Sequence, residues 1–487
     1  MVTQTTRYRT RLNSTTEIHG QKFAAIQSPV FKSALVILCS VGLLAIPCLN
    51  AIVKRDRWKP ASTAKGTSAA TDIESANRQI QLVNSPIQRS GDHQQTKEET
   101  GKPALPNEKQ PQSETEQPAA LADLPLKDFR PESMLRVNRS ELQRAKFPVI
   151  DVHTHFFYRL RHSEEALDDF VKVMDRNRIA VCVSLDGTLG DQFDEHKKYL
   201  WTRYADRFAI FVNIDWRGKG AENDPASWDC QREDFVHRTV EQLRIAGRDG
   251  ACGLKIFKQF GLEYKNADGS LIKIDDPRWD PIWQICGELG MPVIMHTADP
   301  AAFFQPIDKT NERLEELARH PEWSFFGEQF PARQELLEAR NRVIKRHPKT
   351  NFIAAHVANN AEDLATVSQW LDQYPNMYVG IASRISELGR QPYTARAFFL
   401  KHADRILFAT DGPWPELRLW YYWRFLETYD EYFPYSEKDF PPQGFWFIYG
   451  VGLPDDVLRK VYYENALNLI PDLREKYERA AERWLSE

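Results

Sequence analysis

Two histidines one residue apart, His153 and His155, end the apolar run FPVIDVHTH at 147–155. Side chains alternate faces along a β-strand. The two imidazoles therefore project to one side, about 7 Å apart along the chain, and can converge on one metal ion. Three more apolar runs close on groups of the same kind: PVIMH on His296, NFIAAH on His356 and RILFATD on Asp411. A histidine ending one buried strand is ordinarily a satisfied structural residue. Four strand ends that all carry metal-competent side chains are hard to explain by packing alone. Neutral imidazoles with one carboxylate suit Zn²⁺ or a similar first-row divalent ion. Weaker candidates stand nearby: Asp186, Asn213, Asp215, the Asn359–Asn360 pair, Arg384 and Trp414. Each but one is as apt to cap a helix, satisfy a loop or pack under one. Arg384 is the exception, because a guanidinium matches a substrate carboxylate through two parallel hydrogen bonds.

Such groups need a scaffold that delivers several strand ends to one place. Apolar runs of strand length begin near Phe147, Ile179, Phe208, Ala251, Pro292, Asn351, Asn376 and Arg405. Between them lie stretches with apolar residues spaced near 3.6, such as SEEALDDFVKVMDRNR with Ser163 as its cap, DDPRWDPIWQICGELG and NAEDLATVSQWLDQYP. Eight nearly continuous apolar strands alternating with helices predict an α/β fold, a closed (β/α)₈ TIM barrel with its chemistry at the C-terminal mouth. No GxGxxG follows the first strand, which weighs against a dinucleotide-binding sheet. The longest insertions follow strands five and eight, and the loop at 297–333 is expected to cover the mouth. After Asp411 an aromatic helix and loop close the barrel, and a last charged helix is expected to pack outside.

Ahead of the barrel the chain changes character twice. Residues 1–33 form a polar segment. Residues 34–53, ALVILCSVGLLAIPCLNAIV, run twenty residues without a charge, the length needed to span a bilayer. We read this run as a membrane anchor, with a secretory signal as the competing reading; basic residues on its C-terminal side leave its orientation open. Residues 54–120 are rich in Ser, Thr, Gln, Glu, Lys and Pro, too polar to offset their chain entropy by burial, and read as a disordered linker. The domain then occupies 121–487. A formal net charge of −4 argues against a nucleic acid bound through a basic surface. The six cysteines form neither a disulfide framework nor a zinc spacing, and only Cys230 reads as exposed.

The combination IDVHTH, GLKIF, PVIMHTAD, FIAAHVANN and ILFATDGPW resembles the amidohydrolase superfamily. It is most similar to the amidohydrolase-related branch, which also holds metal-dependent decarboxylases similar to aminocarboxymuconate-semialdehyde decarboxylase. The resemblance spans about 148–469. It implies that His153, His155, His296 and Asp411 bind one divalent metal ion, with His356 as a nearby acid, base or electrophile. Lys255 falls where binuclear members carry a carboxylated lysine bridging two metals. Unmodified, it would be a cation for a substrate carboxylate. The expected function is hydrolysis of an amide, ester or lactone carbonyl of a small carboxylate-bearing molecule. Metal-activated water would attack, Asp411 would move the proton and His356 would polarise the carbonyl. The alternative is non-oxidative decarboxylation of a small carboxylic acid at the same metal. A third reading is an inactive, membrane-tethered binding barrel, and a homo-oligomer is compatible with all three.

Overall fold

The computed structural model describes residues 124–125, 128–129, 132–438 and 442–484. The expectations for 1–33, 34–53 and 54–120 lie outside the described residues, among which no helix is long and apolar enough to cross a membrane. Eight parallel strands follow one another around a sheet in chain order. They are β1 (Val149–Thr154), β2 (Ile179–Thr188), β3 (Phe208–Asn213), β4 (Ala251–Ile256), β5 (Val293–Met295), β6 (Phe352–Ala354), β7 (Met377–Gly380) and β8 (Ile406–Leu407). The backbone after β8 returns to β1. The amide of Val152 donates to Phe408 O, that of Asp411 to His153 O and that of His155 to Gly412 O. These bonds close the ring at the position of the histidine pair, so the expected (β/α)₈ barrel is what forms.

Alternation along the strands divides the core in two. Phe208, Ile210 and Val212 of β3 face the outer helices, whereas Ala209 and Phe211 join Ile150, Val152, Val181, Val183, Ile294 and Ile353 in the barrel lumen. Phe211 fills the space opposite Gly253, where an added Cβ would come within 2.3 Å of its ring. Helices Glu164–Asn177, Asp191–Tyr204, Phe235–Arg248, Asp280–Glu288, Arg333–Arg346, Leu364–Gln373 and Pro392–Lys401 wrap the outside. Ser163 caps the first of them by accepting from Ala166 N at 3.2 Å. The helix read in DDPRWDPIWQICGELG is shorter than its pattern, because a 3₁₀ turn at Pro277–Trp279 precedes it.

Two expectations need correction. The charged helix Leu473–Ala481 packs against the lumen rather than outside, burying Leu473 and Ala480 in the same cluster as Val181 and Phe211. Its Lys476 and Arg479 reach Ala205 O and Asp206 just before β3, which puts it across the N-terminal end of the barrel. Cys230 is buried, not exposed: its loop folds back so that Cys230 N donates to Trp216 O.

Candidate metal centre

β1 ends with three consecutive residues that fix the site. Thr154 donates to Val183 O at 2.7 Å, and the residues on either side of it, His153 and His155, project together into the mouth, just where the pairing of β1 with β2 shifts register between Asp151 and Thr154. Their Nε2 atoms stand 3.2 Å apart. Asp411 Oδ1 lies 3.4 Å from His153 Nε2 and 3.3 Å from His155 Nε2. The centre of such a triangle is about 1.9 Å from each corner, close to the roughly 2.0–2.2 Å at which a first-row divalent ion would take two nitrogens and one oxygen. These donors fit a metal ion, and they are the three that the structure brings within 4.8 Å of one another.

The surroundings orient each donor. Asp186, on β2, accepts from His155 Nδ1 at 2.7 Å, which places the proton on Nδ1 and leaves the Nε2 lone pair free for the ion. The second oxygen of Asp186 takes the amides of Phe157 and Tyr158. Ser383 donates to Asp411 Oδ2 at 3.0 Å, so Oδ1 is the oxygen left for the triangle. Asp151 accepts from the amides of His153 and Thr410 and from the Thr410 hydroxyl, tying β1 to the strand that delivers Asp411. Burial raises the Asp151 carboxyl to about 7 against these hydrogen bonds. Sequence reading missed Asp151, Ser383 and Asp299. The signal for Asp151 was its place two residues before His153, on the same face of the strand.

His296 and His356 stand beside the triangle. The ring of His356 is 5.0 Å from that of His153 and 4.4 Å from that of His296, making a row of four imidazoles. The expected fourth ligand, His296, is outside the set of three and has Nε2 3.2 Å from Asp299 Oδ1. Asp299 in turn pairs with Lys258. His356 donates Nδ1–H to Ala382 O at 2.8 Å. Burial holds His153 and His356 well below the usual imidazole pKa and takes His296 to about 4, so all three are neutral. Burial also opposes charge on His155 and Asp411. Their mutual hydrogen bond, with Asp186 on one side and the other imidazoles on the other, outweighs it, raising His155 and lowering Asp411.

Lys255 is 1% exposed, its Nζ has no hydrogen-bond partner among the described residues, and burial takes its pKa to about 7. It is not among the residues lining the cavity at the mouth, whereas Arg384 is. That cavity of about 450 Å³ also reaches His155, His296, His356, Asp411, Ser383 and Trp414. The 297–333 loop covers it through Asp299, Phe303, Arg313, Glu316 and Trp323, as expected. Trp414 forms a wall, stacked 3.8 Å from Arg159 and 4.2 Å from Arg418. The remaining candidates are structural: Asn213 donates to Leu185 O, Asp215 accepts from the amides of Arg217 and Gly218, Asn359 accepts from Thr297 N, and Asn360 accepts from Arg333.

The chain after β6 has a conformation the sequence did not announce. His356, Val357, Ala358 and Asn359 all have φ between 51° and 57°, a left-handed turn without glycine. Such a turn costs about 1–2 kcal/mol per residue, most at the β-branched Val357. Strain of this size persists only where the surroundings impose it, and here it aims His356 into the site.

A family model described as Amidohydrolase matches residues 150–471. Solved structures similar to this chain include 2,6-dihydroxybenzoate decarboxylase from Rhizobium, at 18% identity over 66% of this chain and 98% of that one, with a TM-score of 0.40. A dihydroxybenzoic acid decarboxylase from Polaromonas sp. JS666, with bound manganese and 2-nitroresorcinol, is 15% identical over 66% and 96%, with a TM-score of 0.38. Amidohydrolase 2 from Bifidobacterium longum subsp. infantis is 12% identical over 56% and 87%, with a TM-score of 0.31.

Proposed function

The chain belongs to the amidohydrolase family, and from that premise we propose that it is a metal-dependent enzyme that decarboxylates a small carboxylic acid without oxidation. The observation that carries the reading is Arg384. Arg384 is 7% exposed; among the described residues its guanidinium makes one hydrogen bond, to Ser383 O, and has no carboxylate within ion-pairing distance. It lines the same cavity as His155, His356 and Asp411. A buried cation without a counter-ion is costly, and a ligand carboxylate received as a bidentate partner removes that cost.

The walls suit such a substrate. Phe257, Phe303, Trp414 and Tyr422 give the cavity an apolar wall beside its charged groups, against which the ring or chain of an unsaturated acid can pack. When the C–CO₂ bond breaks, its electron pair stays on carbon and a proton must take the place of CO₂. His153, His155 and Asp411 would hold a divalent ion, which when bound would supply Lewis acidity to the site. His356 has its Nδ1–H committed to Ala382 O, so Nε2 carries the free lone pair and is the atom that takes a proton from a water molecule and passes it to the carbon, leaving hydroxide to combine with the released CO₂ as bicarbonate. Arg384 holds the substrate.

One observation favours hydrolysis as a second reading. Asp411 remains a carboxylate and its side chain is 24% exposed at the cavity wall, so it can accept a proton from an attacking water. The two reactions release different products. The full chain, loaded with Zn²⁺ or Mn²⁺, is offered a panel of unsaturated and aromatic carboxylic acids beside amides, esters and lactones bearing a carboxylate. Release of CO₂ supports decarboxylation, while stoichiometric amine or alcohol supports hydrolysis. Failure to bind metal, with no turnover of either set, would leave the inactive binding barrel. We also propose that residues 34–53 hold the enzyme to a membrane, tested by whether the full chain stays in the pellet after alkaline extraction.

A further inference from the structure

The left-handed turn that carries His356 is gripped from behind by two arginines of one helix. Arg340 is 0% exposed. Its Nη1 donates to Ala358 O at 2.6 Å, while Nε and Nη2 share Asn341 Oδ1. Its guanidinium lies 4.9 Å from the ring of Trp370, and no carboxylate is within ion-pairing distance among the described residues. Arg333, about two turns earlier on Arg333–Arg346, donates to Asn359 O, Asn360 Oδ1 and Asp299 O. Glu362 is its one ion-pairing carboxylate among the described residues, at 3.5 Å.

Two guanidiniums close enough to repel each other, one of them without an ion-pairing carboxylate among the described residues, are an expensive arrangement for a core. A core that only needed filling would take leucine or methionine at Arg340. What the two charges share is the set of carbonyls at Ala358 and Asn359, which a left-handed run turns outward, away from any helical partner. Arg333 also bonds the carbonyl of Asp299, whose side chain holds His296. One helix therefore sets both imidazoles beside the metal triangle while contributing no side chain of its own to the three donors or to the cavity lining.

We propose that Arg340 is a positioning residue for His356: it holds the strained turn so that Nδ1–H meets Ala382 O and Nε2 faces the cavity. The inference rests on the reading of His356 as the proton relay, and the experiment separates the two. Full-length Arg340→Lys and Arg340→Met are prepared with ¹⁵N-histidine, and the Nδ1–H resonance of His356 is assigned through His356→Asn. Lysine keeps the charge but not the fork. The expected result is loss or exchange broadening of that one resonance in both variants. Zn²⁺ content and KM stay within twofold, and kcat falls about 10–100-fold, the range for residues that orient a functional histidine.

An unshifted resonance with normal kcat overturns the proposal. So does loss of Zn²⁺ and of overall resonance dispersion in Arg340→Lys, which would mark a purely structural arginine. If His356→Asn turns over normally while the resonance behaves as expected, the relay reading fails and the positioning inference stands.

Discussion

Asp186→Asn tests the metal centre most directly, because both oxygens of Asp186 are committed. One accepts His155 Nδ1–H at 2.7 Å, and the other accepts the amides of Phe157 and Tyr158 at 2.8 and 3.3 Å. An asparagine offers one acceptor and one donor in their place. If its oxygen keeps the two amides, its NH₂ faces Nδ1 and drives the imidazole to the Nε2–H tautomer, which removes the lone pair aimed at the ion. If its oxygen keeps Nδ1–H, the NH₂ opposes two backbone donors at a buried position and the turn at Phe156–Leu160 loosens. Either outcome weakens binding. Loss of an orienting carboxylate typically costs 10–100-fold in metal affinity, about 1.4–2.7 kcal/mol. Competition for Zn²⁺ against a chromophoric chelator, with the full chain at neutral pH, measures it. An affinity within twofold of the parent would refute the orientation argument and with it the assignment of His155 Nε2 as a ligand.

Asp411→Asn should keep an oxygen for the ion but neither its charge nor its proton affinity. Turnover is expected to fall about 10²–10⁴-fold while metal content declines far less, and equal loss of both would count against a role in proton transfer. Arg384→Met should raise KM for a carboxylate substrate about ten- to hundredfold, from the 1.5–3 kcal/mol of a charged hydrogen bond, and leave a neutral methyl ester of the same compound unaffected. His196 lies 1% exposed between Ser184 and His162, and burial takes its pKa from 6.5 to about 4. The unfolded chain binds its proton first. The contribution of this neutral histidine is therefore complete above pH 6.5 and is lost as pH falls toward 4, by about 2–3 kcal/mol. Urea unfolding at pH 7 and 4.5 should show the margin of the parent over His196→Asn shrinking by that amount, and a constant margin would contradict it.

Local periodicity carried most of the fold. Nearly continuous apolar runs between helical patterns located all eight strands, because a strand buried on both faces has to be apolar throughout and must end where the polarity begins. Alternation alone put His153 and His155 on one side, and Ser163 marked a helix start with its own side chain. Repeated right-handed crossovers then leave one natural strand order, so strand ends far apart in the chain arrive at one mouth.

What the sequence could not decide depends on neighbours distant along the chain. The ring closes through bonds between β1 and residues 408–412, and those bonds place Asp411 against the histidine pair. His296 looked equivalent to the other strand-end histidines, yet the loop after it returns Asp299 to its Nε2. Lys255 and Arg384 both read as mouth cations. Strand geometry keeps the first beneath the cavity and the second on its wall, because Lys255 is part of β4 and Arg384 follows the end of β7 by four residues. Nothing in HVANN predicts a left-handed turn, since no glycine is present. That conformation is held by Arg333 and Arg340 from another helix, and only a packed core can supply such a restraint.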